Sequence, residues 1–133
     1  FNKGKRIVVC KIKQVTLGLS ICYDIRFPAL FRDLTKKGAQ IIFIPSAFTV
    51  PTGKDHWETL LRTRAIENTV FVVATAQCGR HHNNRKTYGH SMIINPWGKI
   101  IRKTTSLPKI LNSSINLEEI KVTRLRMPSI YHD

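Results

Sequence analysis

An α/β layer fold is the architecture this sequence predicts, and three observations carry it. Apolar runs rich in β-branched residues alternate along the chain with helical patterns. One of these runs, "AQIIFIP" (39–45), is continuously apolar, as strands covered on both faces are. Proline and glycine punctuate the elements without marking a linker between domains. The 133 residues therefore read as one domain, large enough to bury a single core without disulfide or metal staples.

Two β-rich runs come first, Arg6–Ile12 and Val15–Ile21, joined by the polar link Lys13-Gln14. Pro28 then opens the helical pattern "PALFRDLTKKG": a proline in the first turn gives up an N–H that has no partner anyway, and Gly38 is the expected C-cap. The strand at 39–45 stops at Pro45. The loop "SAFTVPTGK" (46–54) leads into "DHWETLLRTRAIEN", where Asp55 and Glu58 have capping-box spacing and Trp57, Leu60, Leu61 and Ala65 recur on one helical face. "TVFVVATA" (69–76) is a second buried-strand pattern, and a polar loop follows at 79–89. "HSMIINPWGKIIRK" reads as a hairpin turned at Pro96-Trp97-Gly98. Residues 110–116 are expected to add a strand, and 117–125 a short terminal helix.

Composition narrows the classes of function. The 42% apolar and 8% aromatic content argue against disorder, and no apolar stretch approaches the roughly 18 residues needed to cross a bilayer. A soluble chain without membrane association is expected. Three cysteines, Cys10, Cys22 and Cys78, make an odd set with no CxxC pair, which fits free thiols in a reducing compartment, the cytoplasm. The start "FNKGKRIVV" has no initiator methionine and no signal-type apolar core, so it reads as a cut and implies no export. Twenty-two Lys plus Arg against eight Asp plus Glu give a net charge of +14, which raises nucleic acid as a partner. The distribution argues against it: basic residues never run longer than two, as at Lys36-Lys37, and none interleaves with aromatics as a stacking platform requires. A solvated basic surface, or one facing an acidic segment elsewhere, is the plainer reading.

The stretch "GLSICYDIRFPALF" (18–31) is where chemistry is expected. Cys22 ends a buried strand at a turn before a helix, the place where reactive groups collect in α/β sheets. A sharp turn there presents the sulfur to a crevice and points the Tyr23 N–H at a developing oxyanion. Free cysteine is equally at home buried in a core, so position alone leaves both readings open. Asp24, Arg26 and Arg32 crowd charge near an apolar strand end, which a plain core position does not need. Asp24 reads either as a turn cap or as a site residue, and Arg26 either as its ion-pair partner or as a fork for a substrate carboxylate. The histidines offer a rival chemistry. Cys78, His81 and His82 with His56 or His90 lack the spacing of a zinc set, and a Cys–His hydrolase with His90 or His56 as base is the other enzyme alternative.

The stretches "GLSICYDIRFP", "IPSAFTVPTG", "HWETLLRTRAIEN" and "YGHSMIINPWG" stand in fixed order over nearly the whole chain. In them the sequence resembles the nitrilase superfamily of carbon–nitrogen hydrolases, and most closely its Nit-type amidases, the branch containing deaminated-glutathione amidase and omega-amidase. The resemblance implies a four-layer α-β-β-α sandwich, of which residues 1–133 would form the C-terminal portion of a single domain, the N-terminal portion being absent. It implies hydrolysis of a small carboxylate-bearing amide through a thioester on Cys22, with a base glutamate and a lysine supporting the tetrahedral intermediate. The family's glutamate and lysine, and a further assisting glutamate, precede the segment matched by Phe1. Glu58 and Glu67 belong to other motifs and are not substitutes, and Glu58 with Arg62 at i,i+4 is expected to support its helix. By the same resemblance, Tyr23 supplies an oxyanion-hole N–H, Arg26 shapes the anionic end of the pocket, and Ala47, Phe48 and Thr49 line the substrate. No metal or organic cofactor is implied, since water resolves the thioester. The complete enzyme is expected to be a homo-oligomer associating across the face that carries the cysteine. The opposed expectation is a non-catalytic remnant, or a subunit that completes its site with another polypeptide.

Overall fold

The computed structural model of the chain describes residue 4 and residues 6–132. The start "FNK", part of what the sequence reads as a cut, lies outside the described residues. The order of elements is β1 (Val9–Ile12), β2 (Val15–Leu19), a 3-10 turn (Cys22–Arg26), α1 (Pro28–Lys36), β3 (Ile41–Phe43), α2 (Val50–Thr52), a π-helical segment (Gly53–Trp57) and α3 (Glu58–Asn68). After these come β4 (Phe71–Ala74), β5 (Cys78–Arg80), β6 (Lys86–Tyr88), β7 (Met92–Ile94), β8 (Ile100–Lys103) and α4 (Glu118–Arg126). Among the described residues the main sheet runs β1-β2-β3-β4-β7-β8, with β5 and β6 paired separately. The pairs β2–β3 and β3–β4 are parallel, and the outer pairs are antiparallel. This is the alternating α/β order that the periodicities predict.

One face of the sheet is packed throughout and the other only in part, at Phe71 and Ile93. Gly18, Ile42, Val72 and Ile94 stand in register across β2, β3, β4 and β7, and the three side chains among them are fully buried. Phe31 and Leu34 of α1 and Leu61 and Ala65 of α3 close over them in one apolar cluster. On the opposite face Leu19 is 44% exposed, and its register neighbours Phe43 and Val73 are half-buried. A sheet with one helix layer accounts for two layers of an α-β-β-α arrangement.

Several elements differ from the sequence expectation for identifiable reasons. α1 begins at Pro28 as predicted, but its C-cap is Lys37. Gly38 follows it at φ 91°, and its N–H bonds the Thr35 carbonyl at 2.8 Å, the left-handed closure that glycine adopts without Cβ strain. The predicted Asp55/Glu58 capping box does not form. The helix starts five residues earlier, because Thr49 is extended, Pro51 falls in the first turn, and Asp55 is taken into the π segment. The stretch expected as a polar loop at 79–89 carries most of the β5–β6 hairpin, which begins at Cys78. Residues 110–116 form no strand, because a strand needs a neighbour's N–H and C=O groups and this segment joins no sheet.

Candidate active site

The carboxyl ends of the parallel strands β2, β3 and β4 converge on an open hollow of about 640 Å³. Cys22, Ser46, Ala47, Gln77, Ser91 and Lys109 are among the residues that line it. The chain enters this site from β2 through Ser20, whose N–H and hydroxyl both bond the Phe43 carbonyl. Cys22 then takes φ 44°, a left-handed conformation that a residue with a Cβ holds only where its surroundings enforce it. The enforcement is visible. The Cys22 N–H donates to the Pro45 carbonyl at 2.9 Å, and the Asp24 carboxylate accepts the Ile21 N–H at 2.8 Å. Asp24 is therefore the turn cap of the two roles open to it. The opposite wall is braced likewise: Ser46 and Ala76 bridge β3 and β4 beyond their strands, and the Ser91 hydroxyl accepts the Ala76 N–H at 2.9 Å.

Of the residues named for the site, Cys22 and Ala47 share the hollow, while Tyr23, Arg26, Phe48 and Thr49 are not among its lining. Arg26 donates from Nη2 to Nδ1 of His56 at 3.2 Å, and its guanidinium lies 5.5 Å from the ring centroids of both Tyr23 and Phe48. An arginine has donors only, so His56 accepts through an unprotonated Nδ1. Tyr23 is 65% exposed, and its ring meets Phe27 edge-on. Phe48 is a core residue, 7% exposed, with its ring 4.8 Å from that of Trp57. The Thr49 hydroxyl turns to that of Thr52 at 3.1 Å, at the start of α2.

The glutamates stand elsewhere. Glu58 pairs with Lys103 at 2.6 Å rather than with Arg62, whose Nε donates to the Gly98 carbonyl at 2.9 Å. Among the described residues, the hollow is lined by no carboxylate, and no group of three or more His, Cys, Asp or Glu gathers to hold a metal. Cys10, Cys22 and Cys78 are all free thiols. No helix among the described residues is long and apolar enough to cross a membrane.

Sequence reasoning missed three participants. Among the described residues, Lys109 brings the one charge to the hollow's lining, from just before the 110–116 stretch expected as a strand. Ser91 braces Ala76 from just before β7. Arg64 reaches from α3 to the Ile25 carbonyl at 2.9 Å. The last had a signal: Leu61, Arg64, Ala65 and Asn68 follow the i, i+3, i+4, i+7 stripe, and all four are buried.

The site thus places a cysteine with left-handed backbone at the turn between a strand and a helix, over the strand ends of an α/β sheet. The chain belongs to the carbon-nitrogen hydrolase family, whose sequence profile matches residues 1–125. It is 53% identical over 116 residues to a deaminated glutathione amidase of Synechocystis, covering 87% of this chain and 43% of that protein. To the deaminated glutathione amidase of Dictyostelium discoideum it is 48% identical over 133 residues, covering 97% of this chain and 45% of the relative. Among solved structures, the C. elegans NitFhit protein superposes with a TM-score of 0.94 at 43% identity, over 99% of this chain and 32% of that one. A carbon-nitrogen hydrolase from Helicobacter pylori gives a TM-score of 0.94 at 25% identity, over 100% and 51%. The chain thus spans less than half the length of the curated relatives it matches.

Proposed function

We propose that this chain supplies the nucleophile half of a carbon–nitrogen hydrolase acting on a small carboxylate-bearing amide, with Cys22 as the attacking thiol. The single observation that carries the reading is Cys22 at φ 44°, locked by Pro45 and Asp24 and lining the hollow at the strand ends. The Cys22 sulfur attacks the amide carbonyl carbon, its proton passing to a base, and a tetrahedral adduct forms whose oxyanion meets the Tyr23 backbone N–H. Collapse breaks the C–N bond, and the base returns the proton to the departing amine. Water then attacks the thioester carbonyl, the C–S bond breaks, and the acid and the free thiol are released. Arg26 serves the anionic end of the substrate, Ala47 lines its path, and Phe48 and Thr49 act from behind that surface by fixing Arg26 and the start of α2. No cofactor takes part in this scheme.

This reading takes the base from outside the described residues, and it is supported by a lining that carries no carboxylate among them. Association between copies across the cysteine face is part of the same reading, supported by the exposure of Ile21, Tyr23 and Phe27 beside Cys22. The test is made in the complete enzyme by following ammonia release from small 2-oxo-acid amides. Cys22→Ser is expected to abolish turnover, while Cys10→Ser keeps it within about threefold. Equal losses from both substitutions would sink the assignment.

A further inference from the structure

Arg64 is a charged side chain on the buried stripe of a helix, only 4% exposed. A guanidinium is kept there only if its donors are used. Its Nε donates to the Ile25 carbonyl at 2.9 Å, its Nη1 meets Glu67 Oε1 at 2.7 Å, and its plane lies 5.4 Å from the centroid of the Phe31 ring. Ile25 belongs to the turn that begins at Cys22, and Phe31 to the helix that follows it. One side chain of α3 therefore grips both segments that leave the cysteine. Glu67 is itself oriented, since Asn68 Nδ2 reaches its Oε1 at 3.3 Å while also bonding the Arg64 carbonyl at 3.0 Å.

The left-handed Cys22 needs restraint from more than its neighbours. Pro45 and Asp24 hold the entrance to the turn, through the Cys22 N–H and the Ile21 N–H. Its exit is held from the helix layer by the bond from Arg64 to Ile25. We propose that Arg64 is a positioning residue, which acts through the Ile25 carbonyl to keep the Cys22 turn closed, with Glu67 setting its orientation. Its consequence for catalysis rests on the reading of Cys22 as nucleophile; the clamp itself does not.

Hydrogen exchange and thiol alkylation on the folded protein test this. In Arg64→Lys, the amides of Asp24 and Phe27, which bond the Ile21 and Asp24 carbonyls, are expected to exchange about tenfold faster. Iodoacetamide should modify Cys22 faster by a similar factor, resolved by peptide mass. Cys10 alkylation and exchange at the Ile44 amide, which bonds Val73 between β3 and β4, should stay at the wild-type rate. Glu67→Gln keeps the Nε donor and loses the ion pair, so it should show a smaller change confined to the same amides. Where Arg64→Lys does not fold, Glu67→Gln carries the same comparison. Acceleration at turn and sheet alike, an unchanged turn, or loss of the fold in both variants overturns the proposal, since Arg64 would then serve the core at large. The two readings fail separately. A Cys22→Ser enzyme that retains turnover removes the nucleophile and leaves the clamp, whereas unchanged exchange in an enzyme that needs Cys22 removes only the clamp.

Discussion

Trp57 is fully buried in the core, yet its Nε1 donates to the His90 carbonyl at 2.9 Å. A ring that large is tolerated inside only if its one polar atom is satisfied. Trp57→Phe keeps most of the apolar area but leaves that carbonyl unpaired, so a loss of about 1–3 kcal/mol is expected by urea unfolding. Arg26 shows how a charged side chain is held beside such a core. Its guanidinium lies 5.5 Å from the centroids of an exposed ring, Tyr23, and of a buried one, Phe48, while Nη2 bonds His56. Lysine has neither the planar face nor the fork. If Arg26 meets the substrate carboxylate, Arg26→Lys in the complete enzyme should raise KM roughly tenfold and leave kcat within about threefold. A fall in kcat at constant KM would place Arg26 at the reacting centre instead.

At the scale of elements, the segment from Val50 to Asn68 is one helix interrupted by a π-helical segment, and the interruption has a use. It brings Gly53 against Tyr88 of β6 so closely that a Cβ there would fall 2.4 Å from the Tyr88 Cβ. The helix and the small β5–β6 sheet are thereby joined behind Phe48, whose carbonyl accepts the Tyr88 N–H at 2.9 Å. Gly53→Ala should therefore destabilise the protein by about 1–3 kcal/mol through overpacking, lowering the urea midpoint at constant slope. A neutral effect would show that β6 gives way freely. The hairpin β7–β8 is built by a different device. Asn95 Oδ1 accepts the N–H groups of Trp97 and Lys99, and Asn95 Nδ2 reaches Glu119 of α4 at 3.0 Å, so one amide closes the turn and docks the last helix.

Over the whole molecule, the asymmetry of the sheet sets the strongest expectation. The helix-side face is sealed, the opposite face carries an exposed Leu19 and half-buried Phe43 and Val73, and the hollow beside Cys22 has no carboxylate among the described residues. Residues 1–133 by themselves are expected to release no measurable ammonia from small amides, since loss of a positioned base alone removes about 10² to 10⁴ in rate. Activity of this polypeptide that Cys22→Ala removes would overturn that expectation, and would put Glu58 first among the carboxylates to substitute. The alternation of elements, the strand leading to the Cys22 turn, the strand within 39–45 and the family motifs were legible from residue order, because periodicity, prolines and glycines act within a few residues of where they stand. The 39–45 strand is not covered on both faces as expected, since Ile41 and Phe43 are only half-buried. Pairing across the fold was not. The i,i+4 spacing of Glu58 and Arg62 suggested a bond, yet each found a nearer partner, Lys103 and the Gly98 carbonyl, brought within reach by β8 and its turn. Arg64 looked like one more helical cation until folding set it beside the Ile25 carbonyl. Residues 110–116 had the composition of a strand but joined no sheet. By itself the sequence determined the alternation of strands and helices and the place of Cys22 at a strand-to-helix turn, since these follow from local chemistry. Only the tertiary structure decided which charges meet, which face of the sheet is covered and what holds the cysteine turn, because those depend on distances that no spacing along the chain encodes.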